Sequence, residues 1–313
     1  MKALYFETFG SSDVLKYGEL PDPVINNQEV LVQTAYIGLN FADIYRRRGG
    51  YHIEPNSPYI NGYEASGIII DAEAKHLIGK SVLFVDVPFA NAEKVAVPLE
   101  KIIFLPDEIS LKEAATIGLQ GLTADFLVHD LGKNKPKDKA FVTGISGGVG
   151  QILAQMLIAD GVEVWGSSSA HKAQVALDFG AKKVLSSRHL EWIPDYKGQF
   201  DSCYDGVGTT LKASIDLIKN KGQVIFFGMA AGTPPAIDFI ELLSQSKSIL
   251  TGDLWDFLSS FEERKVRSNR LFTYFKEGKI KVTEPHLFAL SEGKAAHDFL
   301  ENGKNVGKIL LKP

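Results

Sequence analysis

The pattern of apolar and polar positions divides the chain at about residue 139. Before that point the apolar runs are short and β-branched: VLVQTAYIGL at 30–39, SGIIID at 66–71, SVLFVDV at 81–87 and EKVAVPL at 93–99. Gly, Pro and Asn separate them, which is the texture of an irregular all-β unit. SLKEAATIGLQG then predicts a helix, and Ser110 with Glu113 has the spacing of a capping box. Beyond 139, strands and helices alternate. KAFVTG, VEVWG, KKVL, FDSCYDG, GQVIFFG and SILTGDL read as strands. VGQILAQMLIADG, HKAQVALDFG and LKASIDLIKNKG read as helices; the first places apolar residues at 149, 152, 153, 156 and 157, one helical face. This alternation predicts a parallel sheet covered by helices on both sides. A charged helix, FEERKVRSNRLFTYFKEG, should end near Gly278, and GKAAHDFLENG should form a last helix before the strand KILL. That tail is too short for a domain and is expected to return to the first one.

Composition narrows the classes. The 313 residues suit about two domains. A net charge of −4 gives no basic footprint for nucleic acid and no attraction to anionic lipid. No apolar stretch reaches the ~18 residues of a membrane span, and MKALYFETFG lacks the regions of a signal peptide. A cytoplasmic protein without a membrane or nucleic-acid partner is expected. The single cysteine, Cys203, cannot form an internal disulfide or a cysteine-rich structural zinc site, and in its apolar strand it reads as core.

The run FVTGISGGVG at 141–150 carries the first chemistry. A strand, a glycine turn and a helix together form a dinucleotide site: the backbone approaches a pyrophosphate and the helix start supplies N–H groups. Ile145 breaks the strict G-x-G-x-x-G pattern; the spacing here is Gly144, Gly147, Gly150. Gly144, Ser146, Gly147, Gly148 and Val149 are the candidate pyrophosphate contacts. The bland alternative is a tight turn that binds nothing. At the end of the second strand, where NAD sites place a carboxylate, the chain reads WGSSSAHK. Ser167, Ser168 and Lys172 there suit a 2′-phosphate, so NADP(H) is the expected cofactor. A solvated serine loop with a surface lysine is the competing explanation.

Several spaced segments then carry a resemblance. VTGISGGVG resembles the V-x-G-A-S-G-G-V-G segment of the zinc-free quinone oxidoreductases (zeta-crystallin-like) of the medium-chain dehydrogenase/reductase superfamily. GLNFADIYRRRGGY (38–51) is similar to the family's G-x-N-F-x-D-x-Y-x-R-x-G-x-Y. GYEASG (62–67), LPDEISLKEAA (105–115), GLTA (121–124) and YDGVG (204–208) follow in family order. The resemblance spans nearly the whole chain. It departs from the family in a short connection at 71–82 and in Ser187, where close relatives often carry Tyr.

The resemblance implies an α/β fold: a GroES-like β-rich catalytic domain, residues 1–117 with 262–313, plus a doubly wound Rossmann domain with a parallel sheet, residues 118–261. It implies an active site in the cleft and a homodimer joined through the strand near SILTGDL. Superfamily members with zinc hold it through a Cys in the 38–43 element and a His in G-H-E; here Asn40 and Tyr63 stand at those places, so no metal is expected. None of the seven histidines has ligand spacing, and each reads as a surface or loop residue. Without a Lewis acid the acceptor must already be electron-poor, a quinone or an enone.

By family position Asn40, Asp43, Tyr45 and Tyr51 form the catalytic group. Tyr51 is either a proton donor or an aromatic lid, and Asp43 a loop support. Glu64, beside the metal in zinc relatives, is expected to play a structural hydrogen-bonding part. Asn40, Gly121 and Thr123 should border the nicotinamide, with Val207, Phe227, Gly228 and Met229 at later strand ends and Asn305 and Lys308 reaching from the tail. Arg47 matches the family pattern, and Arg46 and Arg48 read as solvated. The expected activity is NADPH-dependent quinone reduction. Reduction of α,β-unsaturated ketones and aldehydes is the near alternative, and an NADPH-binding structural or sensory protein with little turnover is the distant one.

Overall fold

In the computed structural model, which describes residues 1–53 and 57–313, the strand predicted at 30–39 runs from Glu29 to Leu39 and is the hub of the first unit. It pairs antiparallel with Glu64–Ala72 on one side and with Lys94–Pro98 on the other, and its last residues pair with Ile309–Lys312. Strands Ser81–Val85, Ile102–Phe104 and His286–Ala289 complete a seven-stranded sheet, and Lys2–Phe6 centres a three-stranded one. Alternate side chains of the hub strand, Val30 and Val32, enter a core shared with Ile69, Val82, Ile309 and Leu311. The C-terminal tail therefore completes the first sheet.

The second unit carries a six-stranded sheet, parallel throughout. Its order is Lys183–Ser186, Glu163–Ser168, Lys139–Thr143, Phe200–Asp205, Ile218–Phe226 and Ser248–Thr251. Numbered by appearance this is 3-2-1-4-5-6, the doubly wound arrangement. The expected fold class, GroES-like β-rich plus Rossmann, is the one observed. Cys203 is wholly buried beside Phe141 and Phe200, and burial pushes its thiol well up.

The first unit comprises Met1–Leu119, Leu258–Asn269 and Thr283–Pro313; the second comprises Gln120–Phe257 and Arg270–Val282. Residues 270–282, expected with the first unit, group with the second. Their side chains explain it: Arg270 bonds to Asp125 at 2.5 and 2.7 Å, Leu271 packs where a Cβ on Gly121 would sit, and Tyr274 donates to Asp160 at 2.6 Å.

Local signals held at Ser110, whose Oγ accepts from the Glu113 N–H while Glu113 accepts from the Ser110 N–H, opening the helix Leu111–Phe126. They failed in LKASIDLIKNKG. Only Leu211–Leu217 is helical; Ile218 is already extended and pairs with Phe200. Sheet pairing of a buried β-branched residue overrides the helical period here. HKAQVALDFG divides into a 3₁₀ turn at Ala170–Lys172 and a short helix at Ala173–Asp178. Two expectations about charge also need correction. Arg46 is buried, not solvated, and His297 is buried, not on the surface. His297 lies against the buried Arg47 guanidinium, and burial, then that charge, lowers its pKa to about 3. Among the described residues no helix is long and apolar enough to cross a membrane.

Candidate active site

The second unit builds a cradle at the C-terminal ends of its strands. Gly147 is extended and caps the helix Gly148–Ala159, so the first N–H groups of that helix have no carbonyl four residues back. The turn closes tightly: a Cβ on Gly150 would lie 2.4 Å from the Gly144 carbonyl oxygen, and Gly144 has φ +62°. Ser146 is buried. Its Oγ donates to the Lys172 carbonyl at 2.8 Å, tying the glycine turn to the serine loop. The Ile145 N–H donates to the Ser167 carbonyl at 3.1 Å. Ser167, Ser168 and Lys172 are all buried. Burial, then the nearby Arg188 charge, lowers the Lys172 pKa.

The later strand ends join the same cradle. Asp205 accepts from the N–H groups of Val207 and Gly208 at 2.9 and 3.1 Å and from the hydroxyls of Thr210 and Ser214 at 2.8 and 2.6 Å. These bonds fix the loop bearing Val207, whose side chain lies 3.7 Å from where a Gly144 Cβ would be. The Phe227 N–H donates to the Asp205 carbonyl, and Gly228 and Met229 pack on Gly206 and Gly208. Gly144, Gly147, Gly148, Val149, Val207, Phe227, Gly228 and Met229 are thus brought together with the serine loop. Gly121 has a packing reason of its own, since a Cβ there would meet Leu271 at 2.6 Å; Thr123 is half-buried on the same helix. The bare main chain of the turn and a buried cation beside two serines match the shape and charge of a phosphorylated dinucleotide.

The first unit gathers ionisable side chains. Asn40 ends the hub strand and caps the short helix Phe41–Arg47. Its main-chain N–H donates to Asp43 Oδ2 at 2.9 Å. Its amide Nδ2 donates to Glu64 Oε2 at 3.0 Å and to the Gly38 carbonyl at 3.2 Å. Lys308, from the tail, enters this cluster. Its Nζ donates to Asn40 Oδ1 at 2.9 Å and to Glu64 Oε2 at 2.6 Å, an ion pair sealed from solvent. Glu64 Oε1 accepts from the Leu119 N–H at 2.6 Å. A Cβ on Gly38 would sit 1.9 Å from that carboxylate, so glycine there makes the pair possible. Asn305 bonds locally, donating to the Gly307 carbonyl at 2.8 Å.

One turn along the helix, Arg46 Nη1 donates to Asp43 Oδ1 at 3.3 Å and Nε to the His52 carbonyl at 2.8 Å. Its guanidinium lies 3.6 Å from the Tyr63 ring centre and 5.1 Å from that of Tyr51. Tyr51 meets Tyr45 edge-on at 6.2 Å. Asn40, Asp43, Tyr45 and Tyr51 therefore form one group. Burial pushes the Asp43 carboxyl up to about 6 against the pull of Arg46.

Three single residues and one buried pair escaped the sequence reading in part or whole. Arg46 stands three positions after Asp43, which signals an ion pair on a helix, but the run of three arginines hid it. Arg188, just beyond the third parallel strand, was signalled by a basic residue at a strand end. Asp205 lay inside a quoted motif without a role. The Glu64–Lys308 pair spans 244 positions and has no local signal.

Comparison with known proteins agrees with both halves. Residues 26–129 match the alcohol dehydrogenase GroES-like domain, and residues 179–311 match the zinc-binding dehydrogenase family. A probable quinone oxidoreductase of Schizosaccharomyces pombe is 33% identical over 314 residues, covering 96% of this chain and 94% of its own. The structure of Escherichia coli quinone oxidoreductase complexed with NADPH superposes with a TM-score of 0.95 at 29% identity, with all of both chains covered. A 2-haloacrylate reductase of Burkholderia sp. is 28% identical over 91% of each chain.

Proposed function

The chain belongs to the quinone oxidoreductase family of the medium-chain dehydrogenase/reductase superfamily, and on that premise we propose that it is an NADPH-dependent oxidoreductase that reduces a quinone without zinc. The observation that carries the cofactor assignment is the buried Lys172 ammonium beside Ser167 and Ser168, tied through Ser146 to the glycine turn. NADPH, when bound, supplies the hydride. The N–H groups at the start of the helix Gly148–Ala159 would hold its pyrophosphate, and Lys172, Ser167, Ser168 and Arg188 its 2′-phosphate. Asn40, Asp43, Tyr45 and Tyr51 would orient the acceptor.

Zinc does not fit the residues present. The amide of Asn40 is committed to Glu64, Gly38 and Lys308, and the Tyr63 ring lies against a guanidinium. Two buried cations, Lys308 and Arg46, would repel a third positive charge. A reaction without a Lewis acid favours acceptors that are already electron-poor. Quinones meet that need, and so do α,β-unsaturated carbonyl compounds, a second reading favoured by the similarity to a 2-haloacrylate reductase. The same reading has the protein act as a cytoplasmic homodimer joined through Ser248–Thr251, an edge strand of its sheet.

Steady-state NADPH oxidation with 1,2-naphthoquinone and a panel of enones tests the activity. Acceleration by one class assigns the acceptor. NADPH binding with no turnover on either class would replace the enzyme reading by a cofactor-binding module. Elemental analysis of the purified protein should find no stoichiometric zinc, and light scattering should give the mass of two chains.

A further inference from the structure

We propose that the guanidinium of Arg46 binds the oxygen of the acceptor, and that the acceptor is a conjugated carbonyl compound whose oxygen becomes negative as it is reduced. This rests on the reading above that the chain reduces an electron-poor acceptor. It adds the group that recognises that acceptor.

Arg46 is 1% exposed and carries five N–H donors. Nε is used by the His52 carbonyl and Nη1 by Asp43. Nη2 is buried and has no hydrogen-bond partner among the described residues. A buried donor left in that state is unfavourable, so it is poised to meet a hydrogen-bond acceptor on a bound ligand. The other cation of the cluster is not placed to serve, because Lys308 is held by both Asn40 and Glu64.

The surroundings select the ligand. Asp43 and the rings of Tyr51 and Tyr63 face the guanidinium, with Tyr59 behind them. Tyr63 is buried and its hydroxyl meets that of Tyr59 at 3.1 Å, so it forms a fixed wall. Tyr51 is half-buried and forms the wall on the more open side. Flat aromatic walls and the in-plane N–H groups of Nη2 fit a planar conjugated molecule with a carbonyl oxygen at its edge.

In the reaction a C–H bond forms at the acceptor carbon that receives hydride from reduced nicotinamide. The π pair of that carbon's double bond moves through the conjugated system onto the oxygen, which then takes a proton from solvent. The nicotinamide is oxidised by two electrons and the acceptor reduced by two. Arg46 stays protonated throughout and stabilises the negative oxygen.

Arg46→Met should lower kcat for quinones or enones on the order of 100-fold while leaving NADPH affinity unchanged. Arg46→Ala should regain activity with added guanidinium ion. A second measurement needs no variant. 4-Nitrophenol mimics the negative oxygen, and the unaltered protein with NADP⁺ should take it up as the yellow phenolate at a pH where the free compound is mostly neutral. Full activity of Arg46→Met, or nitrophenol that fails to bind or binds as the neutral phenol, overturns this assignment. Failure of the unaltered protein on every acceptor overturns the activity itself, a separate result.

Discussion

Around Asn40 the first unit buries Asp43, Arg46, Glu64 and Lys308, whereas the turn at 144–150 in the second unit offers main-chain N–H groups and a single buried cation, Lys172. The cradle's polarity comes mostly from how the backbone bends, which glycine permits, with Lys172 as its single buried titratable group. The cluster's polarity comes from side chains whose charges must balance inside the protein. The cradle is therefore suited to a ligand of constant charge. The cluster is suited to chemistry in which charge moves, and it carries the larger stability risk.

The strongest way to break this contrast is Lys308→Met, which strands the Glu64 carboxylate in a solvent-free site. A loss of about 3–5 kcal/mol is expected in denaturant unfolding, with much of it restored by adding Glu64→Gln. If Lys308→Met were neutral, the cluster would be no more costly than the cradle.

Next is the pH dependence of Asp43. Its carboxyl is raised from 3.8 to about 6 in the folded protein, mainly by burial. The folded state then holds the proton more tightly than the unfolded chain. The resulting stabilisation is full below about pH 4 and is lost as pH rises through 6, on the order of 3 kcal/mol. Asp43→Asn should flatten the stability profile across that window. A profile unchanged by the substitution would remove Asp43 from the balance.

Lys172→Ala tests the cradle. NADPH binding should weaken about 10- to 100-fold with NADH binding little changed, as read by fluorescence titration. Equal losses for both cofactors would show that Lys172 does not contact the 2′-phosphate. Arg48→Ala should have the smallest effect. Arg48 is 61% exposed and pairs with Glu301 at the surface, so a change of about 0.5 kcal/mol or less is expected.

The two regions also differed in how readily the sequence disclosed them. The cradle was legible because its parts lie within about thirty residues of one another, and a strand, a glycine turn and a helix leave a local mark. Its missing members, Asp205 at the end of one later strand and Arg188 just past another, join it only when the sheet forms. Of the cluster, Asn40 and Asp43 were reached through the family resemblance, and the helix cap that joins them was not read from the sequence. Arg46 read as solvated because three consecutive arginines normally face water, and nothing local shows that Tyr51 and Tyr63 enclose one of them. Lys308 read as a residue reaching the cofactor from the tail. Its true partner comes from the strand Glu64–Ala72, and the hub strand between them makes room with a glycine at 38. In LKASIDLIKNKG the helical period ran on into a segment that sheet pairing claims.

Cys203 has a use outside the chemistry. It is the single cysteine of the chain, it is enclosed among Phe141, Phe200 and Val224, and its thiol resists ionisation. Thiol-directed dyes and spin labels should leave the folded protein untouched. A cysteine introduced at any exposed position would then be the sole reactive thiol, making the unmodified chain a ready background for site-specific labelling.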